Sequence, residues 1–99
     1  MSMSATAQAA LAAALSTRGP NKGKLLRSAP KSNTHACAAW QGAMLSVNPF
    51  KASIFALIMM DDIQRAIFAE VQAHFDAMSK AERIKFDADR ASLEACGAW

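Results

Sequence analysis

One apolar series limits what this chain can fold into more than any other feature. Met60, Ile63, Ile67, Val71, Phe75 and Met78 follow one another at steps of three or four residues. That spacing lines up one face of an α-helix and is not the alternation of a strand. Phe68 widens the stripe, while Asp61, Asp62, Gln64, Arg65 and Gln72 fall mostly off it. Upstream, Ile54, Phe55, Leu57 and Ile58 make the same segment apolar all round, which demands burial on every side or an interface. With Pro49 before it and Ser53 as one possible cap, the pattern predicts one long helix over residues 52–78.

Three further segments also favour helix. Residues 4–17 are rich in alanine, the best helix former. Ser4 can cap the start, Arg18 suits the negative end of the dipole, and Gly19-Pro20 is a stop signal. The only large apolar residues of this helix are Leu11 and Leu15, so it needs a surface to lie on. A second helix is predicted from Asn33 or Thr34 to Val47, ended by Asn48-Pro49. There Trp40, Met44 and Val47 recur at helical spacing, with Trp40 as a core or interface anchor. Ser79-Lys-Ala-Glu82 is a capping box, and it starts a helix expected over residues 80–96 with Gly97 just past its end. Ile84, Ala88, Ala91 and Ala95 give that helix a seam of small residues. No strand alternation or internal repeat is present. The expected fold is all-α: an N-terminal helix and extended basic arm (1–32), then a small three-helix body (33–99) with one long central helix.

Charge divides the chain. Residues 1–60 contain no Asp or Glu and carry Arg18, Lys22, Lys24, Arg27, Lys31 and Lys51, a net +6. Residues 61–99 hold eight acids against five bases, a net −3. The stretch RGPNKGKLLRSAPKS (18–32) cannot form a long helix, because two glycines and two prolines interrupt it. It reads as an arm in which Arg18, Lys22, Lys24, Arg27 and Lys31 meet phosphate or an acidic groove and Leu25 and Leu26 form an apolar anchor. A solvated linker fits the same composition. The acid-free, Ala- and Ser-rich N-terminus also matches a transit peptide in composition. Its helix lacks arginines on the polar face, which favours a retained arm.

Catalytic and metal chemistry find little support. His35 and Cys37 are the nearest His–Cys pair, and their spacing does not put two ligands on one helical face. Asp61 and Asp62 diverge by about 100° on a helix, as neighbours do. Asp87 fits a surface pair with Arg83 four residues away. His74 reads as a partly exposed flank of the Phe75 cluster. No glycine-rich phosphate loop follows a strand, and no nucleophile stands beside a base. No cofactor or metal is expected, and the chain does not read as an enzyme. Two cysteines, Cys37 and Cys96, make no disulfide framework and read as reduced small hydrophobes. With no signal-peptide pattern, they point to a reducing interior compartment. The most apolar run, residues 54–60, is far shorter than the ~20 residues of a membrane-spanning helix.

One stretch resembles a family. FDAMSKAERIKFDADRA (75–91) is similar to the junction between the second and third helices of HMG-box proteins, where an aromatic, a short Met/Leu-Ser turn, a Glu-Lys pair and a second aromatic lead into a small-residue helix. Pro30-Lys31, Trp40 and Asn48-Pro49 could stand where that family has its first strand, first helix and turn. The resemblance implies minor-groove binding with bending by an apolar wedge.

The composition favours another role. Apolar residues make up 53% of the chain and charged residues 19%, so some apolar surface is expected to end in an interface. The chain reads first as a non-catalytic structural or accessory subunit of a larger complex, organellar (mitochondrion favoured) or viral. It would dock through the basic arm and through Trp40, Phe50, Ile54, Phe55, Leu57, Ile58 and Trp99. Its partners would be other protein subunits, with nucleic acid along the arm and membrane-surface contact left open. A nucleic-acid-binding protein of the nucleus and a small regulatory inhibitor that blocks a partner surface are the alternatives.

Overall fold

A computed structural model of the chain describes residues 3–31 and 34–88. Among these the regular structure is helical, as expected: α1 (Ala5–Ala13), α2 (His35–Val47), α3 (Ile54–Ile58), α4 (Asp62–Asp76) and α5 (Lys80–Ile84), with 3-10 turns at Gly19–Asn21 and Pro49–Lys51. The only β feature among them is an antiparallel bridge between Leu15 and Leu25.

Helix α2 is the centre of the core. Thr34 caps it by accepting from the Cys37 amide at 3.0 Å. Its alanines and glycine keep it thin enough to be covered on both sides, by α1 and by α4. Cys37, Ala38, Ala39, Trp40, Gln41, Gly42, Ala43, Met44 and Val47 are all buried. At Gly42 the two backbones meet so closely that a Cβ would stand 2.6 Å from the Phe68 carbonyl oxygen. Ile67, Val71 and Phe75 of α4 complete this layer, each contributing about 1.5–3 kcal/mol of hydrophobic drive. Phe86 meets Phe75 edge to face, with centroids 4.9 Å apart.

Helix α1 lies on the α2–α4 pair through Ala7, Ala10 and Ala14. Ser4 caps it as expected, and its Oγ and N–H also donate to the Glu70 carboxylate at 2.9 and 3.1 Å. The helix ends at Ala13, short of the expected residue 17, because the chain beyond it bonds to a returning segment. The Leu26 amide donates to the Ala14 carbonyl (3.0 Å), Ser16 to Lys24 (2.8 Å) and Gly23 to Ser16 (2.9 Å). Gly19 and Gly23, at φ 72° and 84°, turn that loop.

The expected arm is therefore not extended. Leu25 is 1% exposed and its N–H donates to the Phe86 carbonyl at 2.8 Å. The Leu26 carbonyl accepts from the Trp40 indole at 2.8 Å. The apolar anchor thus serves the chain's own core.

The single helix over 52–78 is also corrected. The segment is two helices, α3 and α4, separated at Met59–Asp61. Asp61 adopts an extended backbone and starts α4 with a capping box: its Oδ1 accepts from the Gln64 amide at 2.8 Å, and Gln64 Oε1 accepts from the Asp61 amide at 3.0 Å. Gln64, expected off the stripe, is buried, and its Nε2 donates to the Thr34 carbonyl at 3.1 Å. Ile63, expected on the core face, is 59% exposed.

The fourth expected helix begins as foreseen at the Ser79 cap, but α5 ends at Ile84. The Phe86 carbonyl goes to Leu25, and Asp87 turns inward. Asp87 is 1% exposed, not a surface partner of Arg83. Its carboxylate accepts from Asn48 Nδ2 at 3.1 Å and lies 3.8 Å from Lys51 Nζ. This ties α5 to the turn before α3. Ala91, Leu93, Ala95, Cys96, Gly97 and Trp99 lie outside the described residues.

Candidate protein-docking surface

The capping box at Asp61 and the Pro49 turn leave α3 as a short helix between two breaks. Ser53 caps it, with the Ala56 amide 3.5 Å from its Oγ, and the Ser53 amide donates to Gln41 Oε1 of α2 at 2.9 Å. Gln41 and Gln64 are thus buried polar struts. One fixes the start of α3 and the other the start of α4, both against α2. Their amides are spent on backbone groups that would otherwise lack partners in an apolar surround.

This anchoring decides which side of α3 faces out. Ala56 and Leu57 turn toward the core and Met60 is buried. On the other side Phe55 is 82% exposed, Ile54 74%, Met59 66% and Ile58 64%, and outside α3 Phe50 in the preceding turn and Ile63 in α4 are 95% and 59% exposed. Phe55 and Met59, like Ile54 and Ile58, are four residues apart and so lie on one face. At the edge of the patch is an apolar cavity of about 300 Å³, walled by Pro30, Cys37, Gln41, Phe55, Ala56, Met59 and Met60 among others. Burial pushes the Cys37 thiol above its ordinary value of 9.0, against a lowering hydrogen bond with Gln41. A thiol held neutral in this way is a poor nucleophile.

The residues expected to dock divide into three groups. Phe50, Ile54, Phe55 and Ile58 are all exposed, the last three on α3 and Phe50 in the turn before it. Trp40, at 2% exposure, and Leu25 are inside the chain's own core, and Leu26 and Leu57 are half-buried against it, so their surface is already used. Trp99 lies outside the described residues. Of the expected cationic set, Arg18, Lys22, Arg27 and Lys31 are exposed and Lys24 is half-buried. The loop that carries them ends beside the patch, since Ala29 and Pro30 share the cavity wall with Phe55 and Met59.

Met59 and Ile63 were missed as surface residues. The signal for Met59 was its i+4 relation to Phe55. The signal for Ile63 was the Asp61-x-x-Gln64 box, which restarts the helix and turns Gln64 inward.

Among the described residues no three of His, Cys, Asp and Glu converge as a metal site. No helix among them is long and apolar enough to cross a membrane. Comparison with family models, curated proteins and solved structures finds no match to this chain.

Proposed function

We propose that this chain is a non-catalytic accessory subunit that docks on protein through the outward face of α3. One observation carries the reading: six large apolar side chains stand exposed on one short segment whose opposite face is firmly tied to the core. Solvated monomers rarely expose an apolar patch beyond roughly 300–600 Å². At ~200 Å² for each fully exposed side chain of this size, Ile54, Phe55, Ile58 and Met59 on the α3 face reach about 570 Å². The exposed cations of the neighbouring loop would steer an acidic rim onto this face.

The test is site-specific photocrosslinking in cells that express the chain. A photoreactive phenylalanine analogue in place of Phe55 should form discrete protein adducts. The same analogue in place of Ala12, exposed on α1, should not. Equal labelling from both positions, or none from position 55, would refute the reading.

A further inference from the structure

We infer that the loop joining α1 to α2 carries a second site, whose cationic tip tracks the phosphate backbone of duplex DNA along the major groove. This surface is separate from α3, and the inference does not rest on the docking reading. Its basis is a loop whose two arms are paired. The Leu26 amide donates to the Ala14 carbonyl at 3.0 Å, the Ser16 amide to the Lys24 carbonyl at 2.8 Å and the Gly23 amide to the Ser16 carbonyl at 2.9 Å. Leu15 and Leu25 form an antiparallel bridge between them. Two more bonds close the tip, from the Lys22 amide to the Gly19 carbonyl at 3.2 Å and from the Lys24 amide to the Asn21 carbonyl at 2.9 Å. Leu25, almost fully buried, sets this ribbon into the core. The tip thus has one shape before any partner arrives, and binding costs it little ordering entropy.

Residues 17–24 hold three cations, Arg18, Lys22 and Lys24, and no acid. Arg18 stands on the outgoing arm and the two lysines on the returning arm. Arg18 and Lys22 are exposed, as are Thr17, Gly19, Pro20 and Gly23, and Lys24 is half-buried. Asp87 follows the ribbon's partner Phe86, but its carboxylate turns inward to Asn48 and Lys51. The exposed tip offers no aromatic or large aliphatic side chain. A protein interface takes such anchors at its centre, and single-stranded bases need an aromatic to stack on. A bilayer surface is read by clusters of about four to eight cations, more than the tip carries. Phosphates require only cations and N–H donors. Shape favours the same partner. Paired strands lie about 4.8 Å apart, and a two-stranded ribbon fits the ~12 Å major groove of B-DNA. The major groove of A-form RNA is too narrow for it. With the ribbon in the groove, Arg18 meets the phosphates of one border and Lys22 and Lys24 those of the other.

Fluorescence anisotropy of a labelled random-sequence DNA duplex, titrated with the full chain between about 50 and 200 mM salt, decides this. The slope of log affinity against log salt should be about −3, as three phosphates contribute roughly −0.9 each. The Arg18→Gln/Lys22→Gln double variant should bring the slope to about −1 and weaken low-salt binding by roughly ten-fold or more. Lys80→Gln/Lys85→Gln removes the same charge from exposed positions at α5 and should change neither. Far-UV circular dichroism melts verify that each variant folds. No binding at the low-salt end, a slope near zero, or equal losses from the two double variants overturns the inference. Tighter binding to duplex RNA or to polyglutamate than to the DNA does so too. Sedimentation with phosphatidylserine vesicles that the tip substitutions abolish, with no binding of DNA, overturns it in favour of a bilayer. Each of these failures leaves the α3 reading standing, since that is tested from position 55.

Discussion

Replacing Gly42 with alanine tests the closest approach in the core. A methyl there would lie 2.6 Å from the Phe68 carbonyl oxygen and 3.3 Å from the Gln72 nitrogen. Ordinary contact begins at 3.4 Å, so the shortfall is 3.4 minus 2.6, or 0.8 Å. Both obstacles are backbone atoms of α4 and cannot rotate aside, so α2 and α4 must separate. A gap of about 0.5–1 Å forfeits a quarter to a half of the dispersion energy across it. The layer affected includes Ala39, Ala43, Met44, Ile67 and Val71. Overpacking costs typically ~1–3 kcal/mol, and this backbone-on-backbone case belongs at or above the upper end. Alanine returns about 1 kcal/mol of helix propensity. The net loss is ~2 kcal/mol, which lowers Tm by about 8–16 °C in a domain of this size. A thermal melt followed by far-UV circular dichroism measures it. An unchanged or higher Tm would mean that propensity wins and that α2 and α4 do not touch at Gly42.

Asp87→Ala removes the acceptor that Asn48 and Lys51 share with α5, and should cost ~2 kcal/mol in urea unfolding. A loss no larger than that of an exposed control such as Glu82→Ala would return Asp87 to the surface. Asp61→Ala deletes one half of the capping box and should cost about 1 kcal/mol, with increased amide exchange confined to the first turn of α4. Uniform exchange along 54–76 would instead favour one continuous helix. Cys37 should resist alkylation in the native protein at neutral pH and react fully in denaturant. Because its folded pKa is raised, the folded state holds the proton more tightly than the unfolded one. The corresponding stability is complete below pH 9.0 and is lost as pH rises from there through the raised value. A Cys37→Ser variant should lose less stability than wild type over that alkaline range, and identical profiles would contradict the assignment.

Helical identity was legible because it follows from local rules. Ser4 and Ser79 each cap a helix where the side chain alone indicated, Thr34 and Ser53 do so from among the possible caps, and the three- and four-residue steps from Ile67 to Phe75 face the core as read. The exposure of Ile54, Phe55 and Ile58 has a similar local origin: an element apolar on every side has more greasy surface than a small core can take. The break at Met59–Asp61 was also written locally, in the Asp61–Gln64 box, but a continuous apolar stripe masked it.

What the sequence determined by itself was therefore the helical class, the cap positions and a surplus of apolar surface. Tertiary structure decided which residues meet that surplus. Leu25 and Trp40 have the same chemistry as Phe55, yet they lie inside because the loop after α1 folds back and bonds to Ala14, Trp40 and Phe86. Asp87 has the same chemistry as Asp62, yet it is buried because Asn48 and Lys51 converge on it from another turn. Local propensity acts over a few residues. Burial depends on partners far apart in the chain, and spacing along a sequence carries no record of which distant backbone group arrives to complete a hydrogen bond.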